Sequence, residues 1–242
     1  MAIRLYSKDE IAAEYEGVEL DPRFTHPDPD KEGPCVIMMS GGVQSVAMLE
    51  WAKSTNWFEP IICVHSVWKD IKASSSKQVN ANIPKICEHY DVPLYVYEQS
   101  DPLQNFSDEK WSVEQTVGVD SAKHWLLTAM NIASRYPTIK NFFWGSNCGL
   151  TQPGVEGDYH FLKRSNEWNS VFNLFCHSST SKTDQKLLPP LSHLTKQQLW
   201  NMIPDDVKPL VQSCAHPEKY DGESPCVSCR KCQEMEILKG EI

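Results

Sequence analysis

Short apolar runs alternate with stretches of helical spacing along most of this chain, and that alternation narrows the fold more than any other feature. Cys35-Val36-Ile37-Met38-Met39, Ile61-Ile62-Cys63-Val64, Leu94-Tyr95-Val96-Tyr97 and Asn141-Phe142-Phe143-Trp144 are runs of four or five residues. Such short, continuous runs suit strands buried on both faces. Between them a helix is predicted from Ser45 to about Lys53, and Val79, Ile83, Ile86 and Tyr90 recur at helical spacing. Trp125, Leu126, Ala129 and Ile132 follow Asp120, a residue type that caps helices. Trp168, Phe172 and Phe175 suggest another helix, Thr195 is placed to cap one running through Ile203, and Ser74-Ser75-Ser76 reads as a loop. The pattern predicts an α/β fold, a doubly wound and mostly parallel sheet with helices on both faces. Ligands in such sheets bind at the carboxyl ends of the strands. The loops after Met39, Val64, Tyr97 and Trp144 are therefore the candidate walls of a site.

The 242 residues divide into three expected parts. Residues 1–34 form a Pro-rich, acidic N-terminal arm with a short helix near Lys8 to Glu16; residues 35–200 form the α/β domain; residues 201–242 form a small helical C-terminal region. A net charge of -9 argues against a broad surface for duplex nucleic acid, and no direct nucleic-acid partner is expected. The N-terminus shows no secretory pattern, and no stretch approaches the ~20 apolar residues of a membrane span. The expectation is a cytoplasmic protein without membrane contact.

The turn after the first apolar run reads Ser40-Gly41-Gly42-Val43-Gln44-Ser45 and opens directly into a helix. Glycines let backbone N–H groups approach an oxyanion, and a helix start adds about half a positive charge with unpaired donors. Ser40 and Ser45 add hydroxyls. The loop is thus a candidate phosphate cradle, although the same letters serve an ordinary strand-to-helix turn. A Walker loop is excluded because no Gly-Lys-Ser/Thr follows, and Gly-x-Gly-x-x-Gly is absent.

The chain has nine cysteines, an odd number that fits metal binding plus buried thiols better than a disulfide framework. Cys35, Cys63, Cys87, Cys148 and Cys176 are scattered among apolar residues. Cys226, Cys229 and Cys232 fall at spacing three, with Cys214 twelve residues earlier. Cys-x-x-Cys can place two sulfurs on one tetrahedral Zn²⁺, and four cysteine ligands leave no open position, so a zinc here is structural. An iron–sulfur cluster or free thiols remain the alternatives.

The glycine loop resembles the Ser-Gly-Gly-x-Asp-Ser element of the PP-loop ATPases, which cleave ATP between its α and β phosphates; Gln44 stands where that family usually has Asp. Together with the cysteine pattern it resembles the 7-cyano-7-deazaguanine synthases, the QueC family. Leu188-Pro189-Pro190-Leu191-Ser192-His193-Leu194-Thr195-Lys196, Ser213-Cys214 and Trp144-Gly145-Ser146-Asn147 are similar to further family elements, and the likeness spans roughly residues 35–235. Two stretches depart from the pattern: Val67-Trp68-Lys69-Asp70-Ile71-Lys72, and Cys148-Gly149-Leu150-Thr151-Gln152-Pro153.

The resemblance implies an adenine nucleotide alpha hydrolase-like fold and a reaction of queuosine biosynthesis. ATP, ammonia and 7-carboxy-7-deazaguanine would give 7-cyano-7-deazaguanine, AMP and pyrophosphate, in a homodimer with Mg²⁺ and Zn²⁺. It assigns phosphate contacts to Ser40, Gly41, Gly42, Val43, Gln44 and Ser45, led in by Met38 and Met39. Val64, His65 and Ser66 would lie near the adenine, and Gly145 and Asn147 toward nucleotide and substrate. Ser40, Ser45 and Lys196 would act in catalysis, and Cys214, Cys226, Cys229 and Cys232 would hold the zinc. Two competing readings stay open. One is a sulfurtransferase or phosphoadenylyl-sulfate reductase-like enzyme using Cys148; the other is a non-catalytic nucleotide-binding zinc protein, which Gln44 favours.

Overall fold

The computed structural model describes residues 29–30, 32–68, 75–99, 125–152, 170–176, 184–213 and 229–240. The arm helix near Lys8 to Glu16, Asp120, Trp168, Cys214 and Cys226 lie outside them. In chain order the elements are β1 (Cys35–Met38), α1 (Val43–Thr55), β2 (Ile61–Trp68), α2 (Ser75–His89) and β3 (Leu94–Gln99). Helix α3 (125–135), β4 (Asn141–Phe143), helix α4 (170–176), β5 (Lys186–Leu188), α5 (Lys196–Met202), a 3₁₀ turn (Lys208–Leu210) and α6 (Arg230–Lys239) complete the chain. Among the described residues no helix is long and apolar enough to cross a membrane.

All strand pairings are parallel, in the order β3-β2-β1-β4-β5. The order reverses at β1, with β2 on one side and β4 on the other. Alternate residues of each strand feed opposite cores, because successive side chains of a strand point to opposite faces. Cys35, Ile37, Cys63, Phe143 and Leu188 pack with α1, α2, α5 and α6. Val36, Met38, Val64, Phe142 and Leu187 pack with α3 and α4. The predicted double winding is therefore the observed one.

The differences from the expected elements have local causes. Ser75 and Ser76, read as loop, are the first residues of α2. Lys186–Leu188, which the sequence shows only as a lead into Pro189-Pro190, pairs with β4 as the fifth strand. Gln185 helps place it: its buried amide donates to the carbonyls of Ala133 (3.1 Å), Tyr136 (3.1 Å) and Ile139 (2.9 Å), around the C-terminal end of α3. Of these, Ala133 lies in the last turn of α3, where carbonyls otherwise lack intrahelical partners. Residue 200 lies inside α5, and Leu199, Trp200 and Ile203 share a core with Met235 and Leu238 of α6.

At the opposite, amino end of the sheet, Asp30 fastens the chain before β1 across two other strands. Its N–H donates to Asn141 Oδ1 (3.2 Å), its carbonyl accepts from Asn141 Nδ2 (3.0 Å), and its carboxylate pairs with Lys186 Nζ (3.2 Å). Above them α1 lays Trp51 against Phe143 (ring centroids 5.5 Å), with Phe58 also on Phe143 (5.1 Å).

Candidate functional site

The loop 40–45 sits at the carboxyl end of β1, at the point where the strand order reverses, which is where open α/β sheets bind ligands. Gly41 has φ +77°, a left-handed conformation that a side chain would strain, and it turns the chain sharply into α1. The serines hold the loop's shape. Ser45 Oγ–H donates to Gly42 O (3.0 Å) and Ser45 Oγ accepts from Ser40 N–H (3.3 Å). Ser40 Oγ lies 3.0 Å from Ser45 Oγ, and with the Ser45 proton already committed, Ser40 is the donor. Ser45 is buried and Ser40 exposed, and Ser40 Oγ also accepts Gly42 N–H (3.4 Å).

The start of α1 is left open. Its N-cap, Gly42, has no side chain to bond back, no acid lies in the first turn, and the first intrahelical bond is Val46 N–H to Gly42 O (3.1 Å). The backbone N–H groups of Val43, Gln44 and Ser45 precede that bond. These donors and the positive end of a 13-residue helix suit an anion.

The loop after β4 meets this helix start directly. A Cβ on Gly145 would stand 2.5 Å from Gln44 Cβ and 3.1 Å from Ser45 N, so only glycine allows the approach. Gln44 Nε2 donates to Asn147 Oδ1 (2.8 Å), and Asn147 Nδ2 donates to Gly149 O (2.8 Å). The same carbonyl accepts the N–H of Lys196, the first residue of α5 (2.8 Å). Gln44, Gly145 and Asn147 are thus brought together, and the Gln44 amide faces Asn147.

Lys196 is buried, and its Nζ pairs with Glu234 Oε2 of α6 at 2.6 Å; Arg230 Nε reaches the other oxygen at 3.1 Å. The Lys196 ammonium, expected to act in catalysis, thus pairs with the C-terminal helix. The sequence offered no signal for Glu234. Gln212 was missed too: its N–H donates to Gly41 O (3.1 Å), which lays the segment before Cys214 against the glycine loop. The quoted Ser213-Cys214 pair pointed to this segment, but as a neighbour of the metal.

Among the residues after β2, Val64 belongs to the core, and its carbonyl accepts Met39 N–H (2.8 Å). Ser66 Oγ bonds Thr128 Oγ1 of α3 (2.9 Å). His65 lies just past the end of β1, where its Nδ1 meets Met39 O at 2.8 Å. A carbonyl only accepts, so Nδ1 carries the proton. Burial pushes the His65 pKa below its usual value despite that bond, which keeps the ring neutral.

Cys229 and Cys232 place their sulfurs 3.5 Å apart, with Cys229 as the N-cap of α6. Two thiolates on a tetrahedral zinc, each at about 2.3 Å, are separated by roughly 3.8 Å, so this pair fits such an ion. Among the described residues no group of three or more potential ligands assembles; Cys214 and Cys226 lie outside them. The five scattered cysteines are all buried. Burial raises the Cys35 thiol to about 12, and donation to Cys87 together with burial raises Cys63. Cys148 is fully buried, and its thiol donates to His193 O (3.4 Å).

The fold and site together define a doubly wound α/β chain with a glycine loop and an uncapped helix start at its topological switch point. No protein family matches the sequence, and no curated protein matches it. Among solved structures it is similar to NMN synthetase from Francisella tularensis, at 13% identity over 88% of this chain and 85% of that one, with a TM-score of 0.40. It is also similar to the U34-tRNA thiolase of Methanococcus maripaludis with its 4Fe-4S cluster, at 16% identity over 97% and 74%, TM-score 0.42. A 4-thiouridine synthetase solved with RNA and ATP is 12% identical over 87% of this chain and 53% of that one, TM-score 0.42. Similarity this distant carries nothing about chemistry, which rests on the residues above.

Proposed function

We propose that this chain is an ATP-dependent, AMP-forming enzyme of the PP-loop kind that activates a carboxylate, with 7-carboxy-7-deazaguanine and ammonia as its substrates. The observation that supports this reading best is the open N-terminus of α1, set at the strand-order reversal by a glycine turn and locked to the β4 loop through Gln44 and Asn147. A site for a departing pyrophosphate needs fixed donors that do not reorganise during reaction. Helix N–H groups tied into a parallel sheet meet that demand.

In the proposed reaction a substrate carboxylate oxygen attacks the α phosphorus of ATP and pyrophosphate leaves. Ammonia then attacks the acyl carbon and expels AMP, giving the amide. A second ATP adenylylates the amide oxygen, and loss of AMP leaves the nitrile. The N–H groups of Val43, Gln44 and Ser45 would hold the leaving pyrophosphate, with the exposed Ser40 hydroxyl beside them. Asn147 would hold Gln44 and the substrate-side loop in register. Mg²⁺ would screen the phosphates; the loop 40–45 contributes no carboxylate to it, because Gln44 carries an amide. Zn²⁺ at Cys229 and Cys232, with Cys214 and Cys226, would be structural and hold α6.

The test supplies Mg-ATP, ammonium and 7-carboxy-7-deazaguanine, then reads the mass of the base and the released nucleotide. AMP with the nitrile mass supports the proposal. ADP, or an unchanged base, overturns it. Tight ATP binding without AMP release would instead favour the non-catalytic reading, to which the amide at position 44 lends weight.

A further inference from the structure

We propose that Gln212 is a positioning residue of the phosphate site: its backbone N–H holds the peptide between Gly41 and Gly42 in the orientation that turns an N–H, and not a carbonyl, toward the anion. This rests on the nucleotide reading above and adds to it the element that keeps the glycine loop competent, supplied by the segment that runs on to Cys214.

The contact is direct. Gln212 N–H donates to Gly41 O at 3.1 Å, across most of the length of the chain. A trans peptide is planar, so its C=O and N–H point in opposite directions. Holding the Gly41 oxygen toward Gln212 therefore aims the Gly42 N–H the other way, to the side of the Ser40 hydroxyl, whose Oγ lies 3.4 Å from it. The donor comes from a fixed place. Val211, beside it, is 5% exposed and belongs to the same core as Val43 and Val46 of α1.

Glycine makes this clamp necessary. Turning the 41–42 peptide over would carry φ of Gly42 from −85° to about +95°, a region that side chains resist and glycine enters freely. The Gly41 carbonyl would then stand where the Gly42 N–H does, and would set its negative end against a phosphate. Gly42 as observed has φ −85° and ψ 171°, which any residue adopts, so the backbone alone does not call for glycine there. What lies over it does: a Cβ would stand 2.8 Å from Ser213 Oγ. The missing side chain admits the segment 212–213, and that segment removes the freedom which the missing side chain brings. The Gln212 side chain plays no part in the clamp, since its buried Oε1 has no hydrogen-bond partner among the described residues.

The experiment measures equilibrium binding of inorganic pyrophosphate and of ATP, with Mg²⁺, to the full chain, to Gln212→Ala, which keeps the N–H, and to Gln212→Pro, which lacks it. Gln212→Pro should bind both ligands about 10-fold more weakly than Gln212→Ala. In a chain that also carries Gly42→Ala and Ser213→Ala, a Cβ closes the flipped conformation and finds room to do so. There the difference between proline and alanine at 212 should shrink to about threefold or less. If the proline variant fails to fold, the wild-type chain carries the test: exchange of the Gln212 amide hydrogen should slow about 10-fold when pyrophosphate is added, because a ligand that needs the clamped peptide stabilises the clamp. Equal affinities of the two Gln212 variants, a difference that persists in the Gly42→Ala, Ser213→Ala chain, or exchange at Gln212 that bound pyrophosphate does not change overturns this inference and leaves the nucleotide reading intact. Absence of binding of both ligands to the wild-type chain overturns that reading itself, and this inference with it.

Discussion

Gly145 has no side chain because Gln44 stands where one would go, and that contact makes a sharp test of the site. A Cβ 2.5 Å from Gln44 Cβ cannot be absorbed by a rotamer change, since the atom it meets is itself bound to the backbone. Gly145→Ala should therefore push the β4 loop off the start of α1. The expected cost is about 1–3 kcal/mol in urea unfolding, with a parallel loss of ATP affinity. Gln44 is informative for its amide rather than its length. Gln44→Glu keeps the shape but turns a carboxylate oxygen toward Asn147 Oδ1 in place of the N–H at 2.8 Å. Asn147 could answer only by turning its own amide, which forfeits the bond to Gly149 O. A destabilisation of about 1–2 kcal/mol, read by the same unfolding curves, is expected.

At the scale of elements, α5 is the hinge between the sheet and the C-terminal helix. Its start is a capping box: Thr195 accepts from Gln198 N–H (3.2 Å), and the Gln198 side chain accepts from Thr195 N–H (2.9 Å). Thr195→Ala should cost about 1 kcal/mol. The first residue of α5, Lys196, reaches α6 through Glu234, a pair only 6% and 17% exposed. Removing one partner of such a pair strands a charge in a place poor in water. Lys196→Met should cost roughly 3 kcal/mol, the low end for buried pairs because Arg230 still reaches Glu234. Lys196→Met with Glu234→Leu should recover part of that loss, and a double-mutant cycle on unfolding free energies measures the coupling.

For the whole molecule, pH and metal content are the two global levers. Burial lowers the His65 pKa from 6.5, so the unfolded chain takes up a proton near pH 6.5 while the native chain resists it. The stability from keeping this ring neutral is complete above the unfolded value. It is lost progressively as pH falls from there toward the folded value, where the slope ends. The Tm of the wild-type protein should fall more steeply between about pH 7 and pH 5 than that of His65→Gln, carboxylates contributing equally to both. If the four C-terminal cysteines hold zinc, the purified chain should contain one equivalent by elemental analysis. A strong chelator should then remove it and lower Tm, whereas Cys148→Ser should leave the metal content unchanged.

Periodicity by itself determined the architecture, because the spacing of apolar residues is what decides which face of a helix or strand can be buried. It located four strands, most helices and the glycine loop, and Thr195 marked the cap of its helix. It did not show β5, whose three residues are too few to display a period and which Gln185 places from a distance. Nor could it show how the polar side chains of the site are spent. Ser-Gly-Gly-Val-Gln-Ser foretells a tight turn into a helix, but that Gln44 meets Asn147, Lys196 meets Glu234 and His65 meets Met39 depends on atoms far apart in the chain. Such partners are brought together only when the sheet order places β1 between β2 and β4, and hydrogen bonds are decided by tenths of an ångström that no local pattern records.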